Sequence, residues 1–231
     1  MSNASSADAQ EFARIFLRLE KTASQNTLWQ PLLASGILKQ MTKDDIITLP
    51  NDHLRQKSEK VREIDEATLT LIKEMTAAAI DWEASRPHEI SAALAAVQID
   101  ALQRVVIIRS DFEDKENNEF TALINPEIVK YEGSLIEDYE GCLSVKDIYG
   151  KVPRFSKIRV RAINIDGQEV RFKADGFLAR VIQHEIDHTN GSVFIDHIKQ
   201  ETKAFYTLDA KGELEPLDYD THIKDNSILW D

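Results

Sequence analysis

Six residues constrain this chain more than any others: Gln183-His184-Glu185-Ile186-Asp187-His188, a His-Glu-x-x-His sequence inside an apolar run. On a helix, residues four apart stand one turn apart on the same face, so two imidazoles at this spacing can reach one metal ion. Glu185 then lies beside the first ligand, where a carboxylate can take a proton from a water molecule on that metal. Phe177, Val181, His184 and His188 repeat at helical spacing, which turns both histidines toward the core. The helix is expected to be capped at Asp175 and to stop at Asn190-Gly191.

Two histidines need a third ligand. The extended His-Glu-x-x-His-x-x-Gly-x-x-His pattern of one protease class fails, because Gly191 is in place but the third histidine position is Phe194. A downstream glutamate could only be Glu201 or a later residue of the tail, and His197 lies beyond the Gly191 stop. Cys142, in Glu140-Gly141-Cys142-Leu143-Ser144, is the more natural candidate. A Cys/His/His set is a soft N/S donor group that suits Fe(II) or Zn(II) and leaves a fourth position open for water. Binding would deprotonate the thiol, so Cys142 need not act as a nucleophile.

As the single cysteine, Cys142 can form no intrachain disulfide. A formal charge of −12 argues against phosphate-backbone binding as the main activity, because that needs a basic face, so no direct nucleic-acid partner is expected. No apolar run approaches the length of a membrane span, and no membrane partner is expected. The N-terminus has no apolar signal region; Arg14, Arg18 and Lys21 among Asp8, Glu11 and Glu20 keep an organellar location open beside the cytoplasmic default.

Taken in order, residues 1–10 are small and polar, and Phe12, Ile15, Phe16 and Leu19 mark an amphipathic helix. Thr42 caps a short helical piece, and Ile46 to Leu49 is an extended segment ended by Pro50. A long helix over 65–84 is expected, capped by Asp65 and burying Leu69, Ile72, Met75, Ala79 and Ile80. Propensity alone makes Ser91 to Gln98 helical. Strands follow at Val105–Ile108, at Phe120–Ile124 ending on Asn125-Pro126, and at Ile128-Val129, with Asp111 to Asn118 as a surface loop. Asp166-Gly167 between alternating runs at 157–165 and 168–173 predicts a hairpin. From Glu201 the chain carries eight acidic residues against three lysines and reads as a solvated extension with one or two short elements. The organisation expected is an N-terminal helical extension (1–45), a metallohydrolase domain (46–200) and an acidic C-terminal extension (201–231).

The pentapeptide EGCLS together with QHEIDH closely resembles the peptide deformylases, metal hydrolases that remove the formyl group from N-formylmethionine on new polypeptides. The resemblance runs from about Ile46 to Ile198, through Leu54-Arg55, Asn125-Pro126, Val152-Pro153-Arg154 and the Asp166-Gly167 hairpin. It implies an α+β fold with antiparallel β-sheets packed around the metal-binding helix. It implies one divalent metal ion per chain on Cys142, His184 and His188, Fe(II) first, with Zn(II), Ni(II) or Co(II) as alternatives. Glu185 would be the base, the Leu143 N–H and the Gln98 amide would stabilise the oxyanion, and Glu140 with Arg154 would brace the site. Formylated nascent peptides would be the partners, met at the ribosome or free, by a monomer or homodimer.

The sequence departs from the family pattern Gly-x-Gly-x-Ala-Ala-x-Gln at its first motif. Ser91 and Ala93 replace both glycines and Val97 the usual proline, while Ala95, Ala96 and Gln98 remain. Tyr149 stands where a substrate-contacting arginine is common. Substrate contacts are expected from Ala93, Gly141 and Tyr149, and from a methionine pocket formed by Phe177, Arg180 and Val181, with Arg180 turning its guanidinium outward. A deformylase-like protein that binds peptide N-termini without processing them is the alternative reading.

Overall fold

A computed structural model describes residues 41–112 and 114–230. The amphipathic segment from Phe12 to Leu19, and most of the extension expected over 1–45, lie outside the described residues.

The main elements are α1 (Glu66–Ala84), β1 (Ala93–Ala95), β2 (Val105–Arg109), β3 (Phe120–Cys142), β4 (Val145–Ile163), β5 (Glu169–Asp175), α2 (Gly176–Thr189), β6 (Phe205–Leu208) and β7 (Leu214–Pro216), followed by single helical turns at Tyr219–His222 and Ser227–Trp230. Short 3-10 turns at Lys43–Asp45, Asp52–Arg55, Ala96–Ile99 and Phe194–Ile198 fill the connections. The strands form one antiparallel sheet in the order β1-β2-β3-β4-β6-β7, with β5 also paired to β4. This is the α+β class expected, with α2 lying against the sheet.

Val105-Val106-Ile107-Ile108 shows why the layers stack as they do. A continuous apolar run suits a strand covered on both faces. Val106 and Ile108 join the core under α2, while Val105 and Ile107 join the core under α1. Asp65 caps α1 by accepting from the Thr68 N–H at 2.8 Å. Its deepest stripe is Leu71, Met75, Ala78 and Ala79, so the expected stripe is rotated and Leu69, Ile72 and Ile80 are only half-buried.

Three further expectations change. Ser91 to Gln98 is not helical: Ala93–Ala95 pairs with β2, and Ala96–Ile99 makes a 3-10 turn. Pairing and burial between two helix layers override the weak helical preference of alanine. Asn125-Pro126 does not end a strand. Asn125, at φ 52°, sits in a register shift and the strand continues to Cys142. The tail is not wholly solvated, since Phe205, Ile223 and Leu229 enter a third core with Val193, Phe194 and Ile198. The hairpin at Asp166-Gly167 is present, with Gly167 at φ 79° and the Asn164 carboxamide oxygen accepting from the Asp166 and Gln168 N–H groups.

Candidate metal and active site

The segment before α2 places its first residue, but Asp175, at the cap position, makes no side-chain capping bond. Eleven of the fourteen helix residues are buried, His184, Glu185 and His188 among them. The helix ends at Thr189 and the chain turns away at Gly191, whose φ of +78° favours glycine and whose absent Cβ would stand 2.4 Å from the Arg55 carbonyl oxygen. The Ser58 N–H donates to the Thr189 carbonyl at 2.9 Å, so the 52–58 loop is fastened to the end of the helix.

Cys142 closes β3 at a tight turn, with Cys142 opposite Val145. The turn brings Sγ to 3.2 Å from His188 Nε2, and one ligand atom from each of Cys142, His184 and His188 lies within 4.8 Å of the others. That spacing and the S/N/N donor set fit a single transition-metal ion. His184 Nδ1 lies 3.0 Å from Glu140 Oε2. A carboxylate can only accept, so Nδ1 carries the proton and Nε2 keeps its lone pair for the site.

Glu140 is the hub beneath the histidines. It accepts from Arg154 Nε at 2.9 Å and Nη2 at 3.0 Å, and from Arg180 Nη1 at 2.7 Å. Burial alone would raise its carboxyl; the hydrogen bonds from His184 and Arg154 outweigh that and hold it well below the usual carboxylate range. Arg154 continues to Asp187 at 2.5 Å, and Asp187 accepts from His197 at 2.7 Å. His197 therefore belongs to the bracing network and not to the metal-ligand group.

Burial pushes the Cys142 thiol up, but His188 and His184 beside it draw it down to about 5, so a thiolate is favoured at neutral pH. Burial pushes Glu185 up to about 7, against the neighbouring histidines. Its Oε2 is buried with no hydrogen-bond partner among the described residues. A carboxylate poised near neutrality with a vacant acceptor is suited to proton transfer.

Gln98 enters from the 3-10 turn that follows β1. Its Oε1 accepts from the Ala95 N–H at 2.9 Å, which forces Nε2 to face Ser144 Oγ at 3.1 Å and Cys142 Sγ at 3.6 Å. Leu143 is half-buried in the turn next to the thiol. A small cleft opens there, lined by Trp82, Arg86, Glu89, Cys142, Leu143 and Tyr149 among others. Tyr149 packs its ring on Gly141, where an added Cβ would meet Cε1 at 2.6 Å, and its hydroxyl donates to Glu89.

The expected pocket residues separate. Val181 is in the core with Ala93, and Phe177 stacks edge-on against Phe112 at 4.9 Å; neither is among the residues lining that cleft. The outward turn expected of Arg180 is corrected: its guanidinium points in, bonding Glu140, the Val152 carbonyl at 2.8 Å and the Ile136 carbonyl at 2.6 Å. The signal was available, because 180, 184 and 188 share one helical face. The Tyr149–Glu89 contact had no such signal, since it joins a loop to a strand 60 residues away.

A sequence model of the family described as polypeptide deformylase matches residues 43–204. The chain is 39% identical over 171 residues to the peptide deformylase of Thermomicrobium roseum, covering 73% of this chain and 93% of that one. A crystal structure of a peptide deformylase from Legionella pneumophila superposes with a TM-score of 0.58 at 36% identity, over 66% of this chain and 83% of that one. A Met-Ala-Ser-bound class I type b peptide deformylase from Acinetobacter baumannii gives a TM-score of 0.58 at 27% identity, over 66% and 96%. Motif, fold and relatives converge, and the chain belongs to the polypeptide deformylase family.

Proposed function

We propose that this chain hydrolyses the formamide bond of N-formylmethionyl peptides, with Cys142, His184 and His188 holding one divalent ion and Glu185 moving the proton. The observation that carries the reading is the unpaired buried oxygen of Glu185 beside the convergent thiol and imidazoles. The ion, when bound, would supply Lewis acidity toward the water and the formyl oxygen. Fe(II) suits the thiolate-containing set, with Zn(II), Ni(II) or Co(II) as substitutes.

Glu185 takes a proton from water as the water oxygen bonds to the formyl carbon. The carbonyl oxygen gains negative charge, toward which Gln98 Nε2 and the Leu143 N–H would donate. When the C–N bond breaks, Glu185 returns the proton to the departing amine, leaving formate and a free N-terminus. Glu140, fixed by Arg154 and Arg180, keeps His184 in the tautomer the site needs.

The Met-Ala-Ser ligand of the A. baumannii relative supports a short peptide as substrate. Gly141 and Tyr149 would line its path beside Cys142, with Ala93 on the β1 edge; Phe177 and Val181 stand apart from that cleft. Newly made formylated chains in a cytoplasm or an organelle are the partners this reading implies. Formate release from formyl-Met-Ala-Ser tests it: wild type should turn over, and Glu185→Ala should bind its metal and release none. Turnover undiminished in Glu185→Ala would refute the assignment.

A further inference from the structure

At the opposite end of β1 from Gln98, a buried ion pair grips the backbone of the divergent first motif. Glu83, in the last turn of α1, accepts the Ser91 N–H at 2.8 Å through Oε2. The same oxygen accepts Arg109 Nη2 at 2.5 Å, and Arg109 Nε donates to the Ser91 carbonyl at 3.1 Å. The Arg109 N–H donates to the Ala92 carbonyl at 2.8 Å, and its Nη1 reaches the Asn117 carbonyl at 2.5 Å. Arg109 is 0% exposed, so this charge is held in the interior for a purpose other than solvation. The Ser91 hydroxyl has no partner among the described residues, so the pair holds the main chain and not the side chain.

β1 needs such an anchor. It is three residues long and, among the described residues, an edge paired only to β2. Because Ala92 is bonded to Arg109, the alternation of an antiparallel ladder turns the N–H and C=O of Ala93 to the open edge. At its far end the strand also orients Gln98 through the Ala95 N–H. A shift at Ser91 is therefore felt first at the open edge of Ala93, while Gln98 keeps its own bonds to the Ala95 N–H and Ser144.

We infer that Glu83 and Arg109 are positioning residues that set the open edge of β1 for the peptide backbone, doing by external grip what glycines at 91 and 93 leave to backbone freedom. This rests on the deformylase reading for the identity of the peptide. The pair touches neither the ligand set nor Glu185, so its loss should weaken substrate binding and spare the chemical step.

The test is steady-state deformylation of formyl-Met-Ala-Ser by metal-loaded wild type, Glu83→Ala, Glu83→Gln and, as a control for lost stability, the core variant Leu123→Ala. Glu83→Ala should raise KM roughly tenfold with kcat within about twofold, and Glu83→Gln, whose amide oxygen still accepts from Ser91, should return KM to within about threefold of wild type. An unchanged KM in Glu83→Ala, or an equal rise in Leu123→Ala, overturns the inference. Should Glu83→Ala not fold, Glu83→Asp decides by the same KM criterion, because it keeps the charge but withdraws it from the Ser91 N–H. If wild type releases no formate, the catalytic reading fails separately, and calorimetric Kd for the same peptide takes the place of KM. A Kd that rises in Glu83→Ala then supports the pair; an unchanged Kd, or no binding by wild type, overturns it.

Discussion

His184 Nδ1 and Glu140 Oε2 stand 3.0 Å apart, joining the metal-ligand group to a carboxylate that two buried arginines already hold. The ligand's orientation is thus set from beneath by β3 and β4 as well as by α2.

Removing that carboxylate should cost metal before anything else. Glu140→Gln is expected to weaken metal affinity by roughly 10- to 100-fold, the usual cost of losing the partner behind a ligating histidine. It also leaves Arg154 and Arg180 facing a neutral amide in the interior, which should destabilise the fold by about 3–5 kcal/mol. Chelator competition and urea unfolding measure the two effects. Metal affinity equal to wild type would show that Glu140 does not orient His184.

The amide of Gln98 should matter to rate more than to binding. Its donor end is fixed toward Cys142 and Ser144, and Gln98→Ala removes the donor without touching the ligand set. Such a loss typically lowers kcat by about 10²–10³. KM and metal content should stay near their wild-type values; a change in KM with kcat preserved would place Gln98 in substrate binding instead.

Much of this was legible beforehand, for local physical reasons. The ligands on α2 could be read because helical spacing puts His184 and His188 on one face, and Asp65 announced its helix by side-chain chemistry alone. Ser91 to Gln98 misled because four alanines prefer a helix, while pairing with β2 across ten and more residues decides otherwise. Glu83 and Arg109 gave no sign at all: each is an ordinary charged residue in sequence, and only the packing of α1 against the end of β2 makes them partners.

Gly191 offers a test of the junction between α2 and the 52–58 loop. An alanine there meets both a φ of +78° and a carbonyl oxygen at 2.4 Å. The left-handed backbone alone costs on the order of 1–3 kcal/mol, and the clash adds to it. At about 2–4 °C per kcal/mol for a chain of this size, Gly191→Ala should lower Tm by several degrees or more. Thermal unfolding unchanged from wild type would mean the loop can move away freely.

Acid stability should carry the signature of Glu127. Its carboxylate accepts from Lys60 at 2.6 Å and from Arg161 at 2.5 Å, and those bonds bring its pKa down to about 2 against a small opposing effect of burial. A depressed carboxylate contributes stability above its unfolded pKa, near 4.5, and loses it as pH falls toward 2. Both cations are substantially exposed, so screening keeps the contribution below about 1 kcal/mol, smaller still at high salt. The unfolding free energy of wild type should therefore exceed that of Glu127→Gln by a constant margin from pH 8 to about 5.5, and the margin should shrink below pH about 4.5. Urea titrations of both proteins across that range measure it, and a margin that survives undiminished at the acid end would show that the ion pairs do not stabilise the fold.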